Sequence, residues 1–570
     1  MEKYFIRYPE IRHFIVVLGL TAILSFVATL LIDPVWGYYD SYIAAMVSGQ
    51  LSGVFINESY HLGLNSVIKL LVILHRHIPQ IPWTAILLFL MWVYVQSISI
   101  VLILKWLNKG WGWKLVVLVW GVLLLFVFGF SFIEYSITGI GMLLSFISLI
   151  AIWDIQKTSK NGISDWACKV LLSIGFISGY CMRIESGLGG TVIAILFILL
   201  SERSLLVLLK AFVVPVFFSF LFFIHFYHTL NDHYFFRKVD PIVFYVTDSH
   251  NSPPWVAADS IEEIKIRLIK ASVLIDSSQF NYEIYNKLAS KKWEYEKKHT
   301  LRPQAAFRQI VKVAGPTIIS NLPLTSVYLL VLTFSLIVMK TPRGRHFFPI
   351  LSYNILWGLI ICSLAYSMKM EKWHYIPLVQ CAILGNIFYA ISKAGIEKVT
   401  FGILKRSMFF ILFVMLIVNY IISINQNHRG IDEKLKIANE IFKAQGEQLV
   451  FFDVNTREIL DNYVFRNYHR LHNIQFYDIA QFAYLPEYEK HLNNLCHCNA
   501  HSAKDFFLFL KQNRNRIDYY SSSERVSLLA EFMRKLYGVN VVFRPVSRTE
   551  LKEGGYGLGE IVKYKLEFPE

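Results

Sequence analysis

The feature that most constrains this chain is the recurrence of apolar runs close to the thickness of a bilayer. Such runs fall at roughly 13–32, 83–104, 114–132, 139–155, 167–182, 188–200, 205–226, 323–339, 348–366, 376–392 and 408–424. A spanning helix needs about 20 largely apolar residues, so the expectation is eleven transmembrane helices, with the 139–200 stretch open to a different partition. Composition agrees: 55% of the 570 residues are hydrophobic and 17% charged, with mean hydropathy +0.44, the balance of a polytopic membrane protein. Lys3, Arg7 and Arg12 precede the first run, and no small-residue cleavage site follows it. The run therefore reads as an uncleaved first span.

The net charge of +15 is explained by loops and does not require nucleic acid. Lys3, Arg7, Arg12; Lys105, Lys109, Lys114; Lys157, Lys160, Lys169; Arg203, Lys210; Lys340, Arg343, Arg345; and Lys393, Lys398, Lys405, Arg406 make eighteen basic residues on one side. The short opposite loops hold five: Lys69, Arg76, Arg183, Lys369 and Lys372. Basic residues concentrate on the cytoplasmic side, which predicts a cytoplasmic N-terminus. An odd number of spans then puts the C-terminal residues outside. The six cysteines make no disulfide framework.

Three outside segments are large. The first, 33–82, opens DPVWGYYDSYIAAMVSGQ. Asp33 and Asp40 stand among Trp36, Tyr38, Tyr39 and Tyr42, and from Asp40 the spacing turns helical, with Ile43, Met46 and Val47 on one side. A carboxylate opening an amphipathic helix at a membrane surface suits a general base, because low dielectric raises its pKa and the helix start orients it. A simple capping Asp fits the same residues. Residues 61–78, with Lys69, His75, Arg76 and His77, read as an interfacial amphipathic stretch. The second segment, 227–322, holds amphipathic helices near 258–276, 282–298 and 304–320. The third, 425–570, alternates strand-like runs (448–453, 474–478, 517–521, 539–543) with helical patterns (431–444, 485–495, 503–512, 523–537), a small α/β domain. The GGYGLG run at 554–559 reads as a flexible turn, and no phosphate-loop, GxGxxG-helix or GxSxG signature occurs. The expected architecture is thus a mostly α polytopic membrane domain, 1–424, with a soluble C-terminal α/β domain, 425–570.

Polar residues recur at the outside ends of the spans: Asp33, Asp40, Glu58 and His61, then Glu134, then Arg183 and Glu185, then His225, His228, Asp232 and His233, and finally Lys369, Glu371, Lys372 and His374. Any one of them can be a snorkelling or solvated side chain. Their recurrence at one face predicts a site for an anionic, membrane-borne substrate. His225 and His228 form an HxxH pair, and Cys496, Cys498 and His501 resemble half a zinc site. Neither has the further ligands a metal centre needs, so no metal site is assigned. No cofactor follows from the residues; a divalent cation is the one kept open.

This layout, with YYDSYIAAMVSGQ after the first span, resembles the GT-C superfamily of polytopic glycosyltransferases. The resemblance is topological over most of the length. It implies an essential acidic residue in the first outside loop (here Asp40, with Asp33 beside it), a second large outside loop and a terminal outside domain. KMEKWHYIPL, Lys369 to Leu378, is similar to the family's basic-aromatic-Pro segment, but the family's Arg is absent and Lys369, Lys372 or His374 would serve. No WWDYG-type signature is found, which argues against transfer to protein asparagine. The implied partners are a polyprenyl-phosphate sugar donor, a glycan or lipid acceptor and membrane lipids; the implied location is a bacterial inner or plasma membrane. Asp40 would be the base, Tyr38 and Tyr39 would stack on sugar, and Glu58, His61, Glu134, Arg183, Glu185, Lys369, Lys372 and His374 would bind substrate. A flippase, transporter or polymerase of lipid-linked glycans and a non-catalytic envelope scaffold remain the rival classes.

Overall fold

In the computed structural model, the described residues are 9–36, 48–50, 65–107, 112–158, 163–202, 205–232, 242, 245–246, 259–270, 280–298, 303–340, 347–367, 370, 372–394, 403–443, 449–452, 465, 476–478, 490, 493–494, 503–550 and 560–569. The chain is mostly helical and divides into two compact units. The first comprises Met1–Ser41, Ala85–Phe226 and Arg302–Gln426; the second comprises Tyr42–Thr84, Tyr227–Leu301 and Asn427–Glu570. The second thus collects most of the three segments expected outside the membrane.

In chain order the elements are α1 (Pro9–Ile32), β1 (Val35–Trp36), α2 (Asn65–His77) and α3 (Trp83–Trp106). Helix α4 (Trp113–Ile133) follows, then β2 (Glu134–Tyr135), α5 (Ile137–Thr158), α6 (Ile163–Met182), α7 (Ile184–Glu202) and α8 (Leu205–Asp232). Next come α9 (Ser260–Lys270), α10 (Tyr282–Lys298), α11 (Pro303–Ser320), α12 (Leu322–Lys340), α13 (Phe347–Tyr366), α14 (Lys372–Ala394) and α15 (Ile403–Lys443). The chain closes with β3 (Leu449–Phe452), β4 (Phe476–Asp478), α16 (Ala503–Gln512), β5 (Ile517–Ser521), α17 (Ser523–Tyr537), β6 (Val542–Glu550) and β7 (Glu560–Glu567).

The expected eleven spans are not reproduced. Seven helices among the described residues are long and apolar enough to cross a membrane: α1 from Phe14, α3, α4, α5, α7, α13 and α14 as far as Lys393. The expected 323–339 span lies in α12, which meets α11 at a bend of 94°; counting that pair as one span gives eight. The expected 167–182 span lies in α6, whose first turns carry Asp165 and Lys169. In the expected 205–226 span the apolar stretch, Leu206–Leu221, is short, and 408–424 is part of the uninterrupted 41-residue α15. Among the described residues the count is seven or eight: seven keeps the odd number that puts the C-terminus opposite the N-terminus, and eight removes it.

Lipid offers no hydrophobic drive between helices, so close packing and internal hydrogen bonds must hold a bundle together. Helices α5, α6 and α7 use small residues for this. A Cβ on Gly141 would stand 2.9 Å from the Gly179 carbonyl oxygen, one on Gly179 would meet Ser145 Oγ, and one on Gly190 would fall on the Met142 carbonyl oxygen. Helix α4 carries a π turn at Leu124–Phe128, which leaves its carbonyls seeking donors. Tyr420 Oη donates to Leu125 O at 2.5 Å, and Gln380 Nε2 donates to Val127 O at 2.7 Å. Neighbouring helices therefore supply what the turn forgoes. Between α12, α13 and α14, Asn354 and Asn386 exchange amide hydrogen bonds at 2.9 Å, and Tyr328 donates to Asn354 Oδ1 at 2.8 Å.

In the second unit the sheet order is β4-β3-β5-β7-β6. β4, β3 and β5 run parallel; β7 is antiparallel to β5 and to β6. Strand β7 is an addition to the expected set, and its signal was present: Val562, Tyr564 and Leu566 alternate and are all buried, the period-2 pattern of a half-buried strand. The fully buried Asp518 of β5 is held by Lys563 and Lys565 of β7, each at 2.7 Å. Helix α9 packs on α17, with Arg267 Nη1 3.4 Å from Glu531 Oε2, so part of the 227–322 segment is built into the C-terminal domain.

Asp259 caps α9, accepting from the backbone N–H groups of Glu262 and Ile261 at 2.7 and 2.9 Å. Those bonds hold its carboxyl below the ordinary range, the Glu262 bond chiefly. A carboxylate lowered in the folded state stabilises above its unfolded pKa, about 3.9, and loses that contribution as pH falls through the folded value. The melting difference between the wild type and Asp259→Ala should be constant above about pH 5 and close as pH drops below about 4; a difference that widened on acidification would refute the cap. For the bundle, Gly190→Val should cost about 1–3 kcal/mol through overpacking. Gly121→Ala, where nothing lies within 4 Å of the new Cβ, should be neutral or slightly stabilising. Thermal melting of detergent-purified protein reads both, and equal losses would sink the packing argument.

Candidate functional site

The site begins where α1 ends. Pro34 excludes its predecessor from the ordinary helical region, and Asp33 takes a left-handed backbone, φ 49°, while its N–H still donates to Thr29 O at 2.9 Å. That reversal sends the chain into β1, which pairs in parallel with β2, Val35 opposite Glu134 and Trp36 opposite Tyr135. The exit of the first helix is thereby fixed against the end of α4.

Glu134 in turn receives Lys372, the first residue of α14, at 2.6 Å from Nζ to Oε1. Glu134 is 18% exposed and Lys372 44%. Tyr135 beside it is buried, and burial pushes its phenol above the ordinary value, partly offset by a hydrogen bond with Thr29. In the first turn of α5, Thr138 Oγ1 accepts from Arg183 Nη1 at 3.2 Å. Arg183 is the single residue between α6 and α7, largely buried, and its Nε lies 3.4 Å from the exposed Glu185 carboxylate. Across the same end, Thr317 of α11 donates to Met370 O at 3.2 Å, just ahead of Lys372.

The structure therefore brings Asp33, Glu134, Arg183, Glu185 and Lys372 to one end of the first unit. His374 lies in the first turn of α14, partly buried beside Trp373. Asp40, Tyr38, Tyr39, Glu58, His61 and Lys369 lie outside the described residues, as do Cys496, Cys498, His501 and the side chains of His225 and His228. Among the described residues no group of three His, Cys, Asp or Glu could hold a metal ion. Sequence reasoning missed Thr138 and Tyr135, which carry no motif, and Thr317, whose contact depends on a helix placed 53 positions away from its partner. An open groove of about 550 Å³ lies elsewhere, lined by Arg514, Asn515 and Lys565 through Pro569, and holds none of the expected site residues.

The opposite end of the same unit is built differently. Asp154, 4% exposed, accepts from Lys105 Nζ at 2.7 Å and from Trp106 Nε1 at 2.6 Å. Glu202 takes Lys157 at 2.7 Å and Lys393 at 3.4 Å. Lys105, Lys157, Lys169 and Lys393, expected above to be cytoplasmic, sit together at the end remote from Glu134.

No protein-family model matches the chain, and no curated protein and no solved structure matches it either.

The two ends should answer mutation differently. A half-exposed ion pair contributes at most about 1 kcal/mol, so Lys372→Ala should leave stability nearly intact. Removing the buried Asp154 strips Lys105 and Trp106 of their acceptor and should cost about 3 kcal/mol. Melting midpoints of the two variants in one detergent check this; comparable losses would mean that the Lys372–Glu134 pair is structural.

Proposed function

We propose that this chain is an inverting membrane glycosyltransferase that moves a sugar from a polyprenyl-phosphate donor to an envelope glycan or lipid acceptor at the membrane surface. The observation that carries the reading is the meeting of Lys372, Glu134 and Arg183 beside the exit of the first helix. Cations held in place at one end of an apolar bundle suit the phosphate of a lipid whose tail lies in the bilayer. Lys372 is oriented by Glu134 yet half exposed, so an incoming phosphate can share or replace that partner at little cost to the fold. Arg183 offers a guanidinium already directed by Thr138.

In the proposed step the acceptor hydroxyl oxygen attacks the anomeric carbon of the donor sugar. The bond from that carbon to the phosphate oxygen breaks, its electron pair leaves with the phosphate, and the hydroxyl proton passes to Asp40. Lys372 and Arg183 neutralise the charge that grows on the leaving group. Asp33, bound into the turn that ends α1, is assigned to positioning. The reading keeps the N-terminus in the cytoplasm, on the eighteen-to-five division of basic residues, and the C-terminal domain outside, which requires an odd number of spans.

A second reading is a flippase for lipid-linked glycans. Broken helices near the midplane serve transporters, and the 94° break between α11 and α12 and the π turn in α4 favour it. Purified variants in proteoliposomes separate the two. Asp40→Asn keeps size and hydrogen bonding but removes basicity, so transfer from a polyprenyl-phosphate sugar should fall about 10²–10⁴-fold, with Asp33→Asn much milder. Lys372→Ala should weaken binding of a polyprenyl-phosphate analogue by about 1.5–3 kcal/mol, roughly ten- to a hundredfold. Near-normal turnover by Asp40→Asn would refute it as the base and pass the role to Glu134 or Glu58. Lipid translocation with no sugar transfer would establish the transporter.

A further inference from the structure

Helix α11 differs from the spans around it. It meets α12 at 94°, with the break at Asn321. Its inward side is tied to the bundle end: Gln309 Nε2 donates to Tyr366 O at 2.6 Å, Thr317 Oγ1 donates to Met370 O, and Ala314 is buried. Its outward side carries Phe307, Val311 and Ile319, exposed 67%, 51% and 71%, with Arg308 and Lys312 exposed between them. The spacing of 307, 308, 311, 312 and 319 keeps these residues on one helical face.

Exposed apolar side chains at that density are costly in water. Facing lipid tails, the two cations would be costly instead. Only the boundary between headgroups and acyl chains satisfies both sets, with Phe307 and Val311 dipping inward, Arg308 and Lys312 reaching phosphates, and Ile319, which lies between the two cations around the helix, at the boundary itself. The right-angle bend supplies the matching orientation: if α12 runs along the bilayer normal, α11 lies in its plane. Beyond the bend, Leu322 and Leu329 of α12 are both about half exposed, as side chains facing acyl chains would be.

We propose that α11 is an in-plane helix that docks on an anionic phospholipid surface, with Arg308 and Lys312 binding lipid phosphates at the end of the bundle that carries Lys372. The assignment goes beyond the catalytic reading and does not rest on it, since it needs only α12 to cross the membrane.

The test uses the full chain in proteoliposomes, with a fluorescent amino acid encoded at Phe307 or at Ile319 and lipids brominated at known depths. An in-plane helix keeps both probes shallow, within one helix diameter, about 10 Å, of each other in depth. If α11 and α12 form a broken span, twelve residues at about 1.5 Å rise separate the probes by about 18 Å in depth, and that result would overturn the proposal. So would two probes that no brominated lipid quenches. The lipid is tested separately, by co-purification of phosphatidylglycerol from mixed phosphatidylglycerol–phosphatidylcholine vesicles. Arg308→Gln with Lys312→Gln should reduce selective retention of phosphatidylglycerol about tenfold or more at low salt, because each basic side chain at an anionic surface contributes about fivefold in affinity. Arg308→Lys should retain most of it. Unchanged retention in the double Gln variant would remove the anionic-lipid assignment even with both probes at the interface.

Discussion

Close approach of α5, α6 and α7 is the constraint on which the candidate site depends. Apolar surface gains nothing by leaving lipid for another helix, so contact and backbone proximity must do the work. Gly141, Gly179 and Gly190 permit it by presenting no Cβ to the facing carbonyls. One consequence is that a single residue suffices to join α6 to α7, and that residue is Arg183. Its guanidinium reaches the first turn of α5 because the three helices are already in contact. The packing that holds the bundle also directs a cation at its end.

The polar groups of the first unit fall into three settings with different energetic meaning. Inside the bundle, Asn354, Asn386, Gln380 and Tyr420 satisfy one another or the carbonyls of a π turn, which low dielectric makes obligatory. At the end remote from the site, buried Asp154 is fully engaged by Lys105 and Trp106. At the site end, Glu134 and Lys372 pair in partial contact with solvent, where pairing contributes little to stability and leaves the cation free to exchange partners. Identical chemistry, a carboxylate and a lysine, therefore serves fold at one end and is available for binding at the other. Exposure decides which.

The second unit follows ordinary soluble rules. Its sheet buries alternating residues, and a carboxylate in the central strand is matched by two lysines from the adjacent one. A long segment inserted between apparent spans need not be a free loop: α9, with its own Asp259 cap, is held against α17 by Arg267 and Glu531.

What the sequence determined by itself is local. Apolar runs announced the helices because transfer free energy is a property of each side chain, and basic residues marked the ends because charges leave the hydrocarbon wherever they stand. Glu134, Arg183 and Lys372 could be named as end residues for that reason alone. The number of spans was less legible, since a run such as 323–339 looks the same whether its predecessor continues straight or turns through a right angle, and β7 hid its alternation among lysines. The tertiary structure decided which ends meet. Lys372 reaches Glu134 across 238 positions, and β1 reaches β2 across the three intervening helices, α2, α3 and α4. No local period encodes such meetings. They follow from how closely whole helices can approach, which is settled by glycines and buried amides far from the charges they bring together.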